Sequence, residues 1–429
     1  MLLSNTAAAN TGKGWMAKVV SVQGNVQIKK KDETQWKTVR LNDTYSQGDM
    51  IRVQERSRAA FLLSNETIIR LDQNTTITLT GIEKKQTSLL DIIFGSVHFI
   101  SRVTRALKVT TPFVNGNVEG TEFLVVVGVD QTTLTVFEGQ VLATNKAGDL
   151  RLTSGQSAIA RAGQAPVARV LVRPRDAVQW ALYYPPILYY RTTDFPDSGK
   201  TKWQAMIRKS IQSYWKGDLT VAFSSIEKIT EKINDPRFFN YRAALLLTVG
   251  RVDEARLDIE QALNLAPDDS HAIALQSIIA LAKNDKEVAL KLAKEAVDKD
   301  KSSATALIAL SYAQQANFDL DEALASLREA VELQSGNALA WARLGELWLS
   351  KGYLNKALKA AKEAVALNPN LARTQTVLGF AYLTQIKIKK SKEAFEKAIE
   401  LDQADSLPRL GLGLAKIREG DLKEGRSEI

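Results

Sequence analysis

The chain has 429 residues, 45% of them hydrophobic and 24% charged, with no cysteine and a formal net charge of +9. That length allows two or three domains, each with its own core; the cysteine count excludes disulfides, a thiol nucleophile and a cysteine-bound metal, and no apolar run approaches the ~20 residues of a membrane-spanning helix. The positive excess is uneven, with six of it in residues 1–170, two in residues 171–202 and one in the remainder, so the basic character belongs to the front of the chain.

Residues 1–14 read as an N-terminal tail. The tail contains Ala7-Ala8-Ala9 but no apolar core of signal-peptide length. The absence of cysteine favours an exported protein, whose leader would not be visible in the chain. From residue 15 to about 160 apolar residues alternate with polar ones, the period of half-buried strands. Val20-Val22 and Val26-Ile28 flank Gln23-Gly24-Asn25, Phe61-Leu63 and Ile69-Leu71 flank residues 64–67, and Leu124-Val126 and Leu134-Val136 flank Asp130-Gln131, each predicting a hairpin. Gln23-Gly24-Asn25-Val26, Phe94-Gly95-Ser96-Val97 and Glu138-Gly139-Gln140-Val141 repeat one pattern, in which glycine marks a bulge or a close backbone approach. The expected product is an all-β domain, a sandwich or flattened roll.

Several stretches here carry a family resemblance. Gly48-Asp49-Met50-Ile51-Arg52, Ser57-Arg58-Ala59-Ala60-Phe61, Thr67-Ile68-Ile69-Arg70-Leu71, Thr111-Pro112-Phe113, Glu119-Gly120-Thr121-Glu122-Phe123, Val136-Phe137-Glu138-Gly139-Gln140-Val141 and Leu152-Thr153-Ser154-Gly155-Gln156 follow in order over residues 40–160. Together they resemble a FecR domain. The resemblance implies an extracytoplasmic binding module. One departure is Asn65-Glu66, where the family commonly has Asp-Gly; Glu disfavours a positive φ, so a longer or different turn is expected there.

Residues 161–202 read as a linker. Residues 162–169 have no period, and residues 173–186 have a proline at the start and a double proline at the end, bracketing two or three helical turns. Trp180, Tyr183, Tyr184, Tyr189, Tyr190 and Phe195 make this segment dense in aromatics. Two readings stand: the aromatics pin the β domain to the first helical hairpin, or they form an exposed docking surface for a partner or second copy.

From residue 203 onward the period changes. Ala262, Ala296, Ala330, Ala364 and Ala398 lie 34 residues apart, as do Ala255, Ala289, Ala323, Ala357 and Ser391, and Ala243, Ser277, Ser311, Gly345 and Gly379. A fixed period of that length is the mark of stacked helical hairpins, none of which buries its apolar face alone. Trp341, Leu344, Gly345, Trp348, Gly352, Ala357, Ala361, Ala364 and Pro369 resemble the tetratricopeptide repeat, and Leu378, Gly379, Tyr382, Phe395 and Ala398 continue the resemblance, with Gln403 in place of the usual proline. The domain plan is thus a tail (1–14), a FecR-like β domain (15–160), a linker with an aromatic connector (161–202), and an all-α tetratricopeptide superhelix (203–429). The superhelix has a degenerate hairpin at 203–235, five at 236–405 and an incomplete one at 406–429. The chain is expected either to continue past Ile429 or to have its open array end covered by a neighbouring copy.

The sequence nominates no catalytic chemistry. Its two histidines, His98 and His271, lie in different domains without metal-ligand spacing and are expected to be solvated. No phosphate-binding glycine loop is present. Asp253-Glu254 and Asp321-Glu322 fall at the start of second helices, where they complement the helix dipole. No cofactor or metal is expected. The resemblance to the repeat family places the second, fifth, ninth and twelfth residues of each first helix on the concave face. Among these, Arg237, Asn240, His271, Tyr312, Glu346, Arg373 and Phe380 are the partner-binding candidates in an otherwise apolar groove. Either this groove takes an apolar helix or an extended segment, or the curvature closes over it and makes it core. Lys29-Lys30-Lys31, Arg52, Arg56, Arg58 and Lys84-Lys85 could meet an anionic envelope polymer; nucleic acid is not expected, because stacking aromatics are not interleaved with them. The family resemblance implies a non-catalytic, protein-binding scaffold in the periplasm or at the cell surface. The alternative is a FecR-type signal-transduction component acting on a sigma-factor system.

Overall fold

The computed structural model describes residues 15–83, 87–101, 107–170, 174–196 and 202–428, and the chain forms two compact units, Met1–Val178 and Gln179–Ile429. In the first unit the strands are β1 (Ala17–Gln23), β2 (Val26–Lys29), β3 (Lys37–Thr38), β4 (Thr44–Tyr45), β5 (Met50–Val53), β6 (Arg58–Leu63), β7 (Thr67–Leu71) and β8 (Thr75–Glu83). They continue as β9 (Thr87–Ser101), β10 (Leu107–Thr110), β11 (Asn115–Val127), β12 (Gln131–Asn145), β13 (Gly148–Thr153), β14 (Gln156–Arg161) and β15 (Val167–Val170). Their order is β15-β14-β12-β11-β10-β9-β7-β6-β1-β4, with β13 on β12 and with β8, β5, β2 and β3 branching from β9.

Strand β9 is the pivot of this unit. Its residues 87–94 pair with β8 and, in parallel, with β10, whereas residues 95–101 pair with β7 and β11. The change of partners falls at Gly95, whose φ is 97°. A Cβ there would lie 2.5 Å from the Thr75 backbone, so only glycine allows the approach. The sheet thereby folds over one core, in which Phe99 and Phe123 stack at 4.4 Å. Burying two such rings contributes about 2–3 kcal/mol each.

Three local expectations are corrected, and a fourth, the longer turn at Asn65-Glu66, is met. Strands β1 and β2 do not form a hairpin: β1 pairs with β4 and β6, and β2 with β3 and β5. At the bend between them Gly24 has φ 76° and the Asn25 N–H donates to Ser57 Oγ at 2.8 Å, which redirects the chain to a different partner. Glu66 does take a positive φ, 69°. Its turn is longer than two residues, and Asn65 Oδ1 accepts the Thr67 N–H at 3.1 Å, holding the loop closed. Part of the expected linker is strand, since β15 extends the sheet beside β14. Finally, His98 is only 3% exposed, with Nε2 3.1 Å from Glu122 Oε1 and its ring edge-on to Phe137. Alternation predicts its face correctly, but that face is also covered.

The second unit is a stack of hairpins. Helices α1 (Trp203–Trp215) and α2 (Leu219–Glu227) form the first, and α3 (Pro236–Thr248) and α4 (Val252–Leu265) the next. They are followed by α5 (Ser270–Ala282) with α6 (Lys286–Lys299), α7 (Ala304–Ala316) with α8 (Leu320–Leu333), and α9 (Ala338–Ser350) with α10 (Leu354–Leu367). The last two are α11 (Ala372–Thr384) with α12 (Ile388–Leu401), and α13 (Leu407–Glu419) with α14 (Leu422–Glu428). Side chains of Asp218, Asp235, Asp269, Asp285, Ser303 and Asn337 cap helix N-termini by accepting backbone N–H groups, each worth about 1 kcal/mol. The alanine ladders at 255–357 and 262–398 have no exposed surface. Their small size sets the helix spacing. Where the ladder reaches Gly379, the Phe395 ring fills the space, 2.5 Å from where a Cβ would sit.

The array curls far enough to meet itself. Gly217, after α1, lies against the end of α12, so that a Cβ on it would be 3.5 Å from the Leu401 carbonyl oxygen. The inner face of the curl is therefore a channel between the first hairpin and the sixth.

Candidate functional site

The inner face is occupied by the chain's own aromatic connector. Of its residues, Tyr184, Ile187 and Phe195 are at most 4% exposed and belong to the same core as the helices, with Leu182, Leu188, Tyr189 and Tyr190 packed against it. The sequence explains the extended course. Pro185 and Pro186 cannot enter a helix and hold their neighbours extended, so successive side chains reach different walls of the channel. Tyr189 stacks on Trp215 of α1 at 5.9 Å. Tyr190 lies edge-on to Phe195 at 5.2 Å and to Tyr241 at 6.3 Å, and faces His271 at 6.2 Å. Burial raises the Tyr190 hydroxyl well above its ordinary range and lowers the His271 imidazole; the expectation of a solvated His271 is corrected accordingly. Trp180 and Tyr183 are half-buried.

The connector is also tied down by polar groups. Arg237 Nη1 donates to the Asp194 carbonyl at 3.1 Å, and its guanidinium lies 5.5 Å from the Phe195 ring centre. Arg208 Nη1 donates to the Phe195 carbonyl at 2.6 Å, and Arg256 Nη2 to Gln179 Oε1 at 2.9 Å. An apolar cavity of about 50 Å³ remains between residues 184–190 and helices α1, α3 and α5, space for about one or two waters.

At the far end the predicted residues converge on a charged network. Glu346 on α9 bonds Arg373 on α11, and accepts from Arg343 Nη1 at 2.9 Å. Arg373 lies 3.5 Å from the Tyr312 hydroxyl and 3.8 Å from Asp405. The Arg343 guanidinium sits 3.7 Å over the Tyr312 ring and donates to Gln315 Oε1 at 2.5 Å. Burial alone would lower the Arg373 guanidinium, but Glu346, Tyr312, Tyr183 and Asp405 outweigh it and hold it well above its ordinary value. Asp405 responds the other way: burial pushes its carboxyl up to about 6, with Arg373 opposing. Burial likewise raises the Tyr183 hydroxyl, which feels Asp405 and Asp402. The connector and the network thus share one environment.

The remaining candidates pack against other helices of the array. Asn240 is fully buried and donates to Asp269 Oδ1, the α5 cap, at 3.0 Å. Phe380 packs edge-on to Phe395 at 4.9 Å. Arg343 and Asp405 escape the sequence reading. A signal for Arg343 exists, because it is the one charged residue in a 34-residue column otherwise filled by Tyr241, Leu275, Ala309 and Val377. In the β unit the basic candidates are largely engaged: Lys30 pairs with buried Asp49 at 2.7 Å, Arg58 is itself buried against Gln23, and Arg52 and Lys29 lie over Trp36 at 4.0 and 5.5 Å. Trp36 is an interleaved aromatic that the sequence reading missed. Lys84 and Lys85 lie outside the described residues.

Among the described residues, no cluster of three or more His, Cys, Asp or Glu side chains could hold a metal ion, and no helix is long and apolar enough to cross a membrane.

Comparison with known proteins agrees with both resemblances. The family model described as FecR protein matches residues 49–142, and models described as tetratricopeptide repeat match residues 241–304, 307–372 and 372–405. No curated protein matches the chain. Among solved structures, a tetratricopeptide protein of Thermus thermophilus is 22% identical, over 42% of this chain and 99% of its own, with a TM-score of 0.37. MamA of Desulfovibrio magneticus is 25% identical, over 38% and 91%, with a TM-score of 0.31. PilF of Pseudomonas aeruginosa is 15% identical, over 45% and 88%, with a TM-score of 0.35.

Proposed function

For a chain that joins a FecR domain to a tetratricopeptide array, we propose a non-catalytic scaffold of the bacterial cell envelope, with the array holding a partner protein and the FecR-like domain acting as an extracytoplasmic binding module. The observation that carries this reading is the array's inner face, which holds an extended aromatic segment along its length. Such a channel binds by shape and apolar area, and here the chain supplies its own occupant. A partner using the same wall has to compete with residues 182–195, so Arg237 and His271, which touch the connector, are contacts in exchange for it, with Tyr312, Glu346 and Arg373 further along. Contacts between copies, and an anionic polymer meeting the basic β unit, belong to the same reading as secondary contacts.

The test uses the full chain in its host. Fractionation should place it in the periplasm or at the surface, and recovery from the cytoplasm would contradict the proposal. Loosening the connector with Ile187→Ala and Tyr190→Ala should raise capture of a groove partner several-fold; capture unchanged by both would remove the groove from the account. The FecR match also favours a regulatory reading, in which deletion of the gene changes transcription of a sigma-factor regulon.

A further inference from the structure

The turns between paired helices carry one left-handed residue every 34 positions: Gly250, Asn284, Phe318, Gly352, Ile386 and Gly420, with φ between 60° and 105°. Glycine and asparagine suit this backbone; an aromatic and a β-branched side chain do not. Yet Phe318 is 83% exposed and Ile386 63% exposed. Neither is held there by core packing, and both sit at the same place in their hairpins, one hairpin either side of Gly352. Tyr353, next to that glycine, is 48% exposed.

The charges around these two tips are opposite. Phe318 is followed by Asp319, Asp321 and Glu322, all exposed. Ile386 is followed by Lys387, Lys389 and Lys390, also exposed and placed at the start of α12, where cations oppose the helix dipole. Lys351 reaches across to Asp321, whose side chain stays 80% exposed. Lys356, at the central turn, lies over the Trp348 and Tyr353 rings at 4.6 and 5.0 Å. Lys286 covers Phe318 from the preceding turn at 5.3 Å. The rim therefore reads acidic tip, a central turn bearing Lys351 and Lys356, basic tip, at equal spacing.

We propose that this rim is the contact surface for a second copy of the chain, in an isologous two-fold arrangement about the central turn. The acidic Phe318 turn of one copy meets the basic Ile386 turn of the other, and the reverse contact forms by symmetry. Equal spacing of the tips either side of Gly352 is what lets both contacts form at once, and Gly352 has open space around it. Three turns a side make a small interface, so the dimer is weak and salt-sensitive.

Sedimentation velocity on the full chain tests this. A concentration-dependent dimer is expected that dissociates as salt rises from about 0.05 to 0.5 M. The triple variant Lys387→Glu, Lys389→Glu, Lys390→Glu and the triple variant Asp319→Lys, Asp321→Lys, Glu322→Lys should each weaken it by about tenfold or more. An equimolar mixture of the two should form a heterodimer, because one contact is then the native acid–base pair and the other its charge-reversed counterpart, and both attract. Phe318→Gly and Ile386→Gly, which relieve the backbone, should raise the melting temperature while weakening the dimer. A native chain that stays monomeric, triple variants that dimerise as the native does, or a mixture that fails to pair would each overturn the proposal.

Discussion

Asp405 is a buried carboxylate whose nearest cation, Arg373, is already bonded to Glu346. Its folded pKa of about 6 lies above the ordinary aspartate value of 3.8, so between these values the folded chain binds the extra proton. Stability contributed by this group is therefore present below the ordinary value and is lost as pH rises through the folded one. The expected change is about 2–3 kcal/mol between pH 4 and 7. His271 has the opposite sign, since its lowered pKa means stability is lost as pH falls below 6.5. Asp405→Asn should remove the Asp405 component, measured as midpoint shifts in urea titrations from pH 4 to 7; an unchanged pH slope would show the carboxyl is not the group responsible. Arg373→Met should cost about 3–5 kcal/mol because it takes the cation from buried Asp405 and one of the two that hold Glu346. Gly379→Ala places a methyl in the Phe395 ring and should cost about 1–3 kcal/mol, read as a fall in melting temperature.

The helical hairpins follow from a pattern that any single one of them would express. The 34-residue ladders name the residues that must be small, and the structure buries them all because helix spacing depends on the near neighbour alone. The β unit is less legible. Alternation identifies strands such as β6 and β7 and their hairpin, but partner choice depends on bends such as Gly24 and Gly95, which redirect a strand without changing its pattern. His98 shows the same limit, since period two assigns a face and cannot say whether another layer covers it. The connector is the least legible element. An extended segment has no period linking it to helices, and its contacts depend on how far the array curls, a property summed over all the hairpins. Ile187→Ala should cost about 2–4 kcal/mol and accelerate hydrogen exchange in α3 and α5; full protection in both helices would place Ile187 outside their core.

At the scale of the molecule, an open array unfolds from its ends, hairpin by hairpin, whereas in this one the connector ties several hairpins together. The double variant Ile187→Ala and Tyr190→Ala should turn a single steep urea transition of the helical unit into a broader one with a smaller slope. The connector's place on the inner face is tested most directly by limited proteolysis of the native full chain with chymotrypsin. The bonds after Tyr183, Tyr189 and Tyr190 should survive until the helices themselves unfold. Rapid cleavage at those bonds, with the helical circular-dichroism signal intact, would show the connector lying outside the channel.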